Sequence, residues 1–180
     1  MASTHANGRR LVPGTEQKRR HTISILVENR FNALSRIAGL FSAKGYNIDS
    51  LSVGPTEDES VSRMTIVTEG DDPIIEQITK QLHKLIDTIK VVDLTFDNFV
   101  ERELVLLKIQ TTTQTRSEIM QVAEIFRAKV VDISPRTLTL EATGSKQKVD
   151  AIIKMLKQFG IKEIARTGQV ALKREFHGEV

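Results

Sequence analysis

The segment Leu26-Val27-Glu28-Asn29-Arg30-Phe31-Asn32-Ala33-Leu34 holds the residues best placed to bind a ligand, because strand-like alternation ends there and helical spacing begins. The first-turn N–H groups of a helix lack intrahelical partners and lie at the positive end of its dipole, so an α-carboxylate fits at the start of this helix. A simpler reading has Asn32 only capping the helix and Asn29 only turning the chain, and the residues taken alone favour it. Asn47, two residues after Gly45, reads equally well as a turn residue.

Covalent chemistry finds no footing in the sequence. No nucleophile, base and orienting acid form a pattern, and the acidic runs Glu57-Asp58-Glu59 and Asp71-Asp72 fall at a hairpin tip and a helix start, where solvated charge is usual. The absence of cysteine excludes a disulfide framework, a thiolate zinc site and a cysteine nucleophile. His5, His21, His83 and His177 are scattered, so no metal cluster is expected.

The elements that must position the segment follow from periodicity. Ile23, Ile25 and Val27 share one face of a strand over Thr22 to Glu28, and Leu34, Ile37, Ala38 and Phe41 form a helix stripe ended by Gly45. Ile48 to Val53 and Val61 to Thr68 predict a hairpin across a polar connector. Asp72 before Pro73 predicts a helix N-cap, with Ile75, Ile78, Leu82, Leu85 and Ile89 following at helical spacing and a strand over Val91 to Phe96. That order, βαββαβ, is ferredoxin-like.

The order then repeats. A strand over Glu103 to Thr111 leads to a capping box at Thr115-Arg116-Ser117-Glu118 and a stripe of Ile119, Val122, Ala123 and Phe126. Lys129 to Ile133 and Thr137 to Ala142 flank Ser134-Pro135-Arg136, Ser145 caps a helix with Val149, Ile152, Ile153 and Leu156, and residues 161–173 supply a last strand. The expected fold is α+β, with two tandem ferredoxin-like modules at 22–96 and 97–180 behind a disordered basic tail at 1–21. Modules this small bury a low fraction of their surface, which points to oligomerisation.

At 180 residues, 39% hydrophobic and 27% charged, the composition is that of a globular protein. The pI of 9.2 suggests nucleic acid until the charge is located. Arg9, Arg10, Lys18, Arg19 and Arg20 stand against Glu16 in the first 20 residues, leaving 21 basic and 22 acidic residues in the remainder. The modules are therefore nearly neutral. No apolar run approaches a membrane span or a signal peptide, so a cytoplasmic protein without membrane contact is expected.

Val27-Glu28-Asn29, Leu34, Arg36-Ile37-Ala38-Gly39-Leu40-Phe41 and Gly45-Tyr46-Asn47-Ile48-Asp49-Ser50-Leu51-Ser52-Val53 resemble the ACT domain of the acetolactate synthase small-subunit family. The likeness continues through Ser62-Arg63-Met64-Thr65-Ile66, Lys80-Gln81-Leu82-His83-Lys84-Leu85, Val100-Glu101-Arg102-Glu103-Leu104 and Ile164-Ala165-Arg166-Thr167-Gly168. The resemblance implies a non-catalytic regulatory subunit that activates a catalytic large subunit and mediates valine feedback in branched-chain amino-acid synthesis. It also implies a homodimer whose ACT sheets pair edge to edge. Valine would be held between Asn29 and the backbone of Asn32, Ala33 and Leu34 of one subunit and Asn47 and Ile48 of the other. Thiamine diphosphate, magnesium and FAD would belong to the catalytic subunit and none to this chain.

The family pattern has glycine where this chain has Asn32. An asparagine that capped its own helix would consume a carboxylate donor, and its side chain adds bulk where the ligand backbone approaches, so valine sensing is expected to be weak or absent. Two other classes fit less well. An RNA recognition motif has this element order but needs exposed aromatics, which the strands Thr22 to Glu28 and Val61 to Thr68 lack. A free-standing sensor or transcriptional regulator would bring a helix-turn-helix segment, and none accompanies these modules.

Overall fold

The computed structural model describes residues 18–175. Strand β1 (Arg19–Glu28) turns directly into helix α1 (Ala33–Ala43), and β2 (Ser50–Pro55), β3 (Val61–Gly70), α2 (Asp72–Leu82) and β4 (Thr88–Asp93) complete the first module. The sheet runs in the order β2-β3-β1-β4 with every pair antiparallel. Ile23, Ile25 and Val27 point to the helix side, as their alternation requires, and pack with Ile37, Phe41, Met64, Ile66, Ile78 and Leu82.

The second module repeats the plan with β5 (Phe99–Gln110), α3 (Arg116–Ile125), β6 (Lys129–Ile133), β7 (Thr137–Gly144), α4 (Lys146–Leu156) and β8 (Ile161–Arg166). Its order, β6-β7-β5-β8, is that of the first sheet, and Val105, Leu107, Ile109, Leu138, Leu140, Val149, Ile152 and Leu156 form its core. The expected α+β, doubly ferredoxin-like architecture is the one observed. The Ser145 side chain accepts from the Lys148 N–H, capping α4 as its position suggests. Ser145→Ala is therefore expected to cost about 1 kcal/mol of stability, read from the denaturant midpoint.

Several boundaries differ from those read in the sequence. β1 begins at Arg19, because β3 runs on to Gly70 and supplies pairing positions for Arg19, Arg20 and His21. These three residues therefore belong to the sheet, and residues 1–17 of the expected tail lie outside the described residues. The buried face of α1 is Ala33, Ile37 and Phe41, while Leu34 is 42% exposed. Asp71, not Asp72, caps α2, its carboxylate accepting from the Ile74 N–H at 2.9 Å. Helix α2 stops at Leu82, so Ile89 is an exposed residue of β4 rather than part of a helix stripe.

The capping box at Thr115 does not form. Its hydroxyl accepts instead from the Thr112 N–H at 3.0 Å, within the loop before α3. The single last strand expected over 161–173 is two. After β8 the chain turns at Gly168 and forms β9 (Val170–Lys173), which pairs with the first residues of β5, Phe99 to Arg102. This ribbon lies against β1 and β3 on the face the helices leave open, and Ala171 is only 3% exposed there.

Candidate functional site

The corner between β1 and α1 is built by the chain reversing onto its own hairpin. The Asn29 N–H donates to the Ser60 carbonyl at 2.6 Å, and its side-chain Nδ2 donates to the Glu59 carbonyl at 2.9 Å. The Asn29 amide is therefore anchored to the β2–β3 turn. A second brace comes from the loop before β4, where the Glu28 N–H donates to the Asp87 carbonyl at 2.8 Å and Arg36 Nη1 donates to Asp87 Oδ2 at 2.7 Å. Phe31 projects from the corner, 97% exposed.

Asn32 has φ 71° and ψ −1°, a left-handed conformation that glycine or asparagine adopts at least cost. Its carbonyl accepts from the Arg36 N–H at 2.9 Å, but its side chain makes no cap hydrogen bond. The expectation that Asn32 consumes a helix-end donor is thus wrong. In the left-handed region the side chain is carried away from the second and third N–H groups, and those donors are left without a side-chain cap. Ala33 is buried beneath the corner, and Leu34 faces outward beside it.

Asn47 and Ile48 lie between α1 and β2. The Asn47 carbonyl accepts from Thr68 Oγ1 at 2.6 Å, its Nδ2 donates to Asp49 Oδ1 at 2.7 Å, and Ile48 packs half-buried against the core. Within one chain the structure does not bring these two residues to Asn29, Asn32, Ala33 and Leu34. Ser50 and Thr22 both lie opposite Val67, whereas Pro55 and Val27 both lie opposite Ser62, so the two groups flank opposite ends of β2. Five residue steps along a strand span about 17 Å.

The corresponding corner of the second module is closed. The Thr112 N–H donates to Thr115 Oγ1 and the Thr115 N–H to Thr112 Oγ1, at 3.0 and 3.2 Å, so the loop satisfies its own donors. Elsewhere the module is held by Arg166, whose Nε and Nη2 both reach the buried Glu103 carboxylate at 2.7 Å. Hydrogen bonding to Glu103 raises the Arg166 pKa above its ordinary value, with the charges of Glu103 and Asp150 adding to it.

Gln169, the polar residue on which the two modules meet, is not among the residues the sequence singles out. Gln169 is 2% exposed although it stands in a turn, and its amide meets Arg20, Thr22 and Glu101. No periodicity marks such a residue. The preceding Thr167-Gly168 in the family-like run was the one available signal.

Tandem modules of this order, the first carrying an uncapped strand–helix corner and an edge strand paired on one side only among the described residues, define an ACT-type protein. Family models described as an AHAS small subunit-like ACT domain and as the small subunit of acetolactate synthase match residues 23–90 and 102–175. An acetolactate synthase small subunit of Aquifex aeolicus is 54% identical over 160 residues, 88% of this chain and 83% of that protein. A probable acetolactate synthase small subunit of Archaeoglobus fulgidus is 52% identical over 86% of this chain and 97% of its own length. The crystal structure of the acetolactate synthase small subunit from Thermotoga maritima superposes with a TM-score of 0.80 at 42% identity, covering 87% of this chain and 98% of that one. The chain belongs to the acetolactate synthase small-subunit family, and its role is regulatory and non-catalytic.

Proposed function

We propose that this chain activates the catalytic subunit of acetolactate synthase and carries its amino-acid feedback, with valine as effector, acting as a cytoplasmic homodimer. The observation that supports this reading most is the placement of the two residue groups at opposite ends of β2. A two-fold axis through the middle of that edge makes the β2 strands of two copies antiparallel, and it sets the Asn29–Leu34 corner of each beside the Asn47–Ile48 end of the other. One chain has half of a site at each end of the strand. Two chains have two whole sites.

The Ala33 N–H is taken by the Arg30 carbonyl at 3.3 Å, but Asn29, already held by the hairpin, and the uncapped N–H groups of Leu34 and Ser35 suit the carboxylate of an amino acid. Asn47 and the half-buried Ile48 would close the site from the second copy. Such a ligand regulates only through differential affinity: valine must favour the dimer arrangement that supports the less active catalytic subunit. Thiamine diphosphate, magnesium and FAD are assigned to that subunit, and no cofactor to this chain.

Acetolactate formation by the catalytic subunit, measured with and without this chain across a valine titration, tests both halves of the proposal. Higher activity with the chain and a valine-dependent decline are expected. Equal activity with and without it would remove the activating role, and a flat titration would remove valine.

A further inference from the structure

Gln169 is the most deeply buried polar residue of the second module, and what it touches is largely the first. Its Oε1 accepts from Arg20 Nη2 at 2.8 Å, and its Nε2 donates to Glu101 Oε2 and, at 3.5 Å, to Thr22 Oγ1. Its backbone N–H donates to Ser50 Oγ at 2.8 Å. Gly168 brings the turn close enough for that bond. A Cβ on this residue would lie 2.8 Å from Ser50 Oγ and 3.1 Å from the Leu51 carbonyl oxygen, and its φ of 77° disfavours a side chain in any case.

Ser50 is the first residue of β2, three after Asn47 and two after Ile48. The start of this strand is therefore gripped from two sides. On one side β3 holds it, through the Asp49 N–H on the Val67 carbonyl at 2.8 Å and Thr68 Oγ1 on the Asn47 carbonyl. On the other side stands the Gly168–Gln169 turn of the second module. A buried, fully bonded amide fixes one arrangement where an apolar contact would allow several.

We infer that Gln169, seated by Gly168, is a positioning residue for the Asn47–Ile48 half of the amino-acid site, acting through Ser50, so that effector affinity depends on how the second module docks. This rests on the amino-acid reading proposed above. By linkage, whatever factor docking contributes to effector affinity, the effector returns to docking. The second module then senses a ligand it never touches.

The full chain with Ser50→Ala, Ser50→Thr or Gly168→Ala tests the inference by valine calorimetry, amide hydrogen exchange at Asp49 and thermal melting. Loss of one neutral hydrogen bond predicts that Ser50→Ala weakens valine binding about threefold to tenfold and speeds Asp49 exchange to a similar degree. Ser50→Thr, which keeps the hydroxyl, restores both. Gly168→Ala, which pushes the turn off the strand, matches or exceeds the alanine effect at Ser50. Native valine affinity in Ser50→Ala overturns the inference even if the melting temperature drops, and so does a threonine variant as impaired as the alanine one. If the native chain binds no valine, the amino-acid reading falls by itself. Asp49 exchange then decides the positioning role, and an unchanged rate in Ser50→Ala overturns it.

Discussion

A Val53→Pro chain is expected to sediment as a monomer and to bind valine at least about tenfold more weakly than the native chain, the loss of one or two charge-assisted hydrogen bonds at roughly 1.5 to 3 kcal/mol each. The reason lies in the direction of the β2 amides. The Thr56 N–H donates to the Val61 carbonyl at 2.9 Å, which makes these two a hydrogen-bonded pair. In an antiparallel ladder such pairs alternate, so the register sets the N–H groups of Gly54 and Ser52 toward β3 and those of Val53 and Leu51 outward. Pro55, which has no N–H to offer, falls in the outward set. Proline at position 53 would therefore leave the β2–β3 ladder intact and remove a donor from the free edge alone. The expected signature is a split: the thermal midpoint stays within a few degrees of native, while the dimer and the valine response disappear together. A variant that remains dimeric and valine-responsive would exclude β2 as the joining edge.

Asn32 carries the second large effect. A β-branched residue at φ 71° meets a steric cost that asparagine largely avoids, about 1 to 2 kcal/mol or more. Asn32→Val is expected to relieve that cost by swinging the corner out of the left-handed conformation, which turns the first N–H groups of α1 away from a carboxylate. Valine affinity should fall by about tenfold or more, and the midpoint should drop by a few degrees. Asn32→Gly separates conformation from bulk. Glycine adopts the same backbone freely, and because the Asn32 side chain consumes no cap bond, little is released by removing it. A gain of under about tenfold is expected, the return from removing side-chain bulk alone. Calorimetry on the native chain and both variants reads these values directly. A valine variant that binds as tightly as the native chain would show that the left-handed corner is not part of the site.

These expectations depend unequally on sequence and on tertiary structure. The order of elements was legible because apolar spacing is a local record: Ile23, Ile25 and Val27 alternate, while Ile75, Ile78 and Leu82 recur at helical intervals, and both sets are buried. Ser145 was legible for the same reason, since a capping side chain and the N–H it accepts from are three residues apart. Asp71 and Thr115 show the limit of such reading. A run of adjacent polar residues offers several caps, and loop geometry selects among them. Leu34 and Ala33 stand three and four residues before Ile37, so helical spacing admits either as the first buried residue of α1, and packing selects Ala33.

The sequence by itself determined two modules of one plan, their α+β architecture, and a strand–helix corner at Asn29 to Leu34. Each follows from interactions between near neighbours. Only the tertiary structure decided that Asn32 is left-handed and uncapped, that the Asn47–Ile48 end lies a strand's length from the corner, that residues 161–173 divide into two strands, and that Gln169 joins the modules. The bond from Gln169 to Ser50 closes a separation of 119 residues. A contact of that kind leaves no spacing in the chain, because the residues it joins become neighbours only after both sheets have formed.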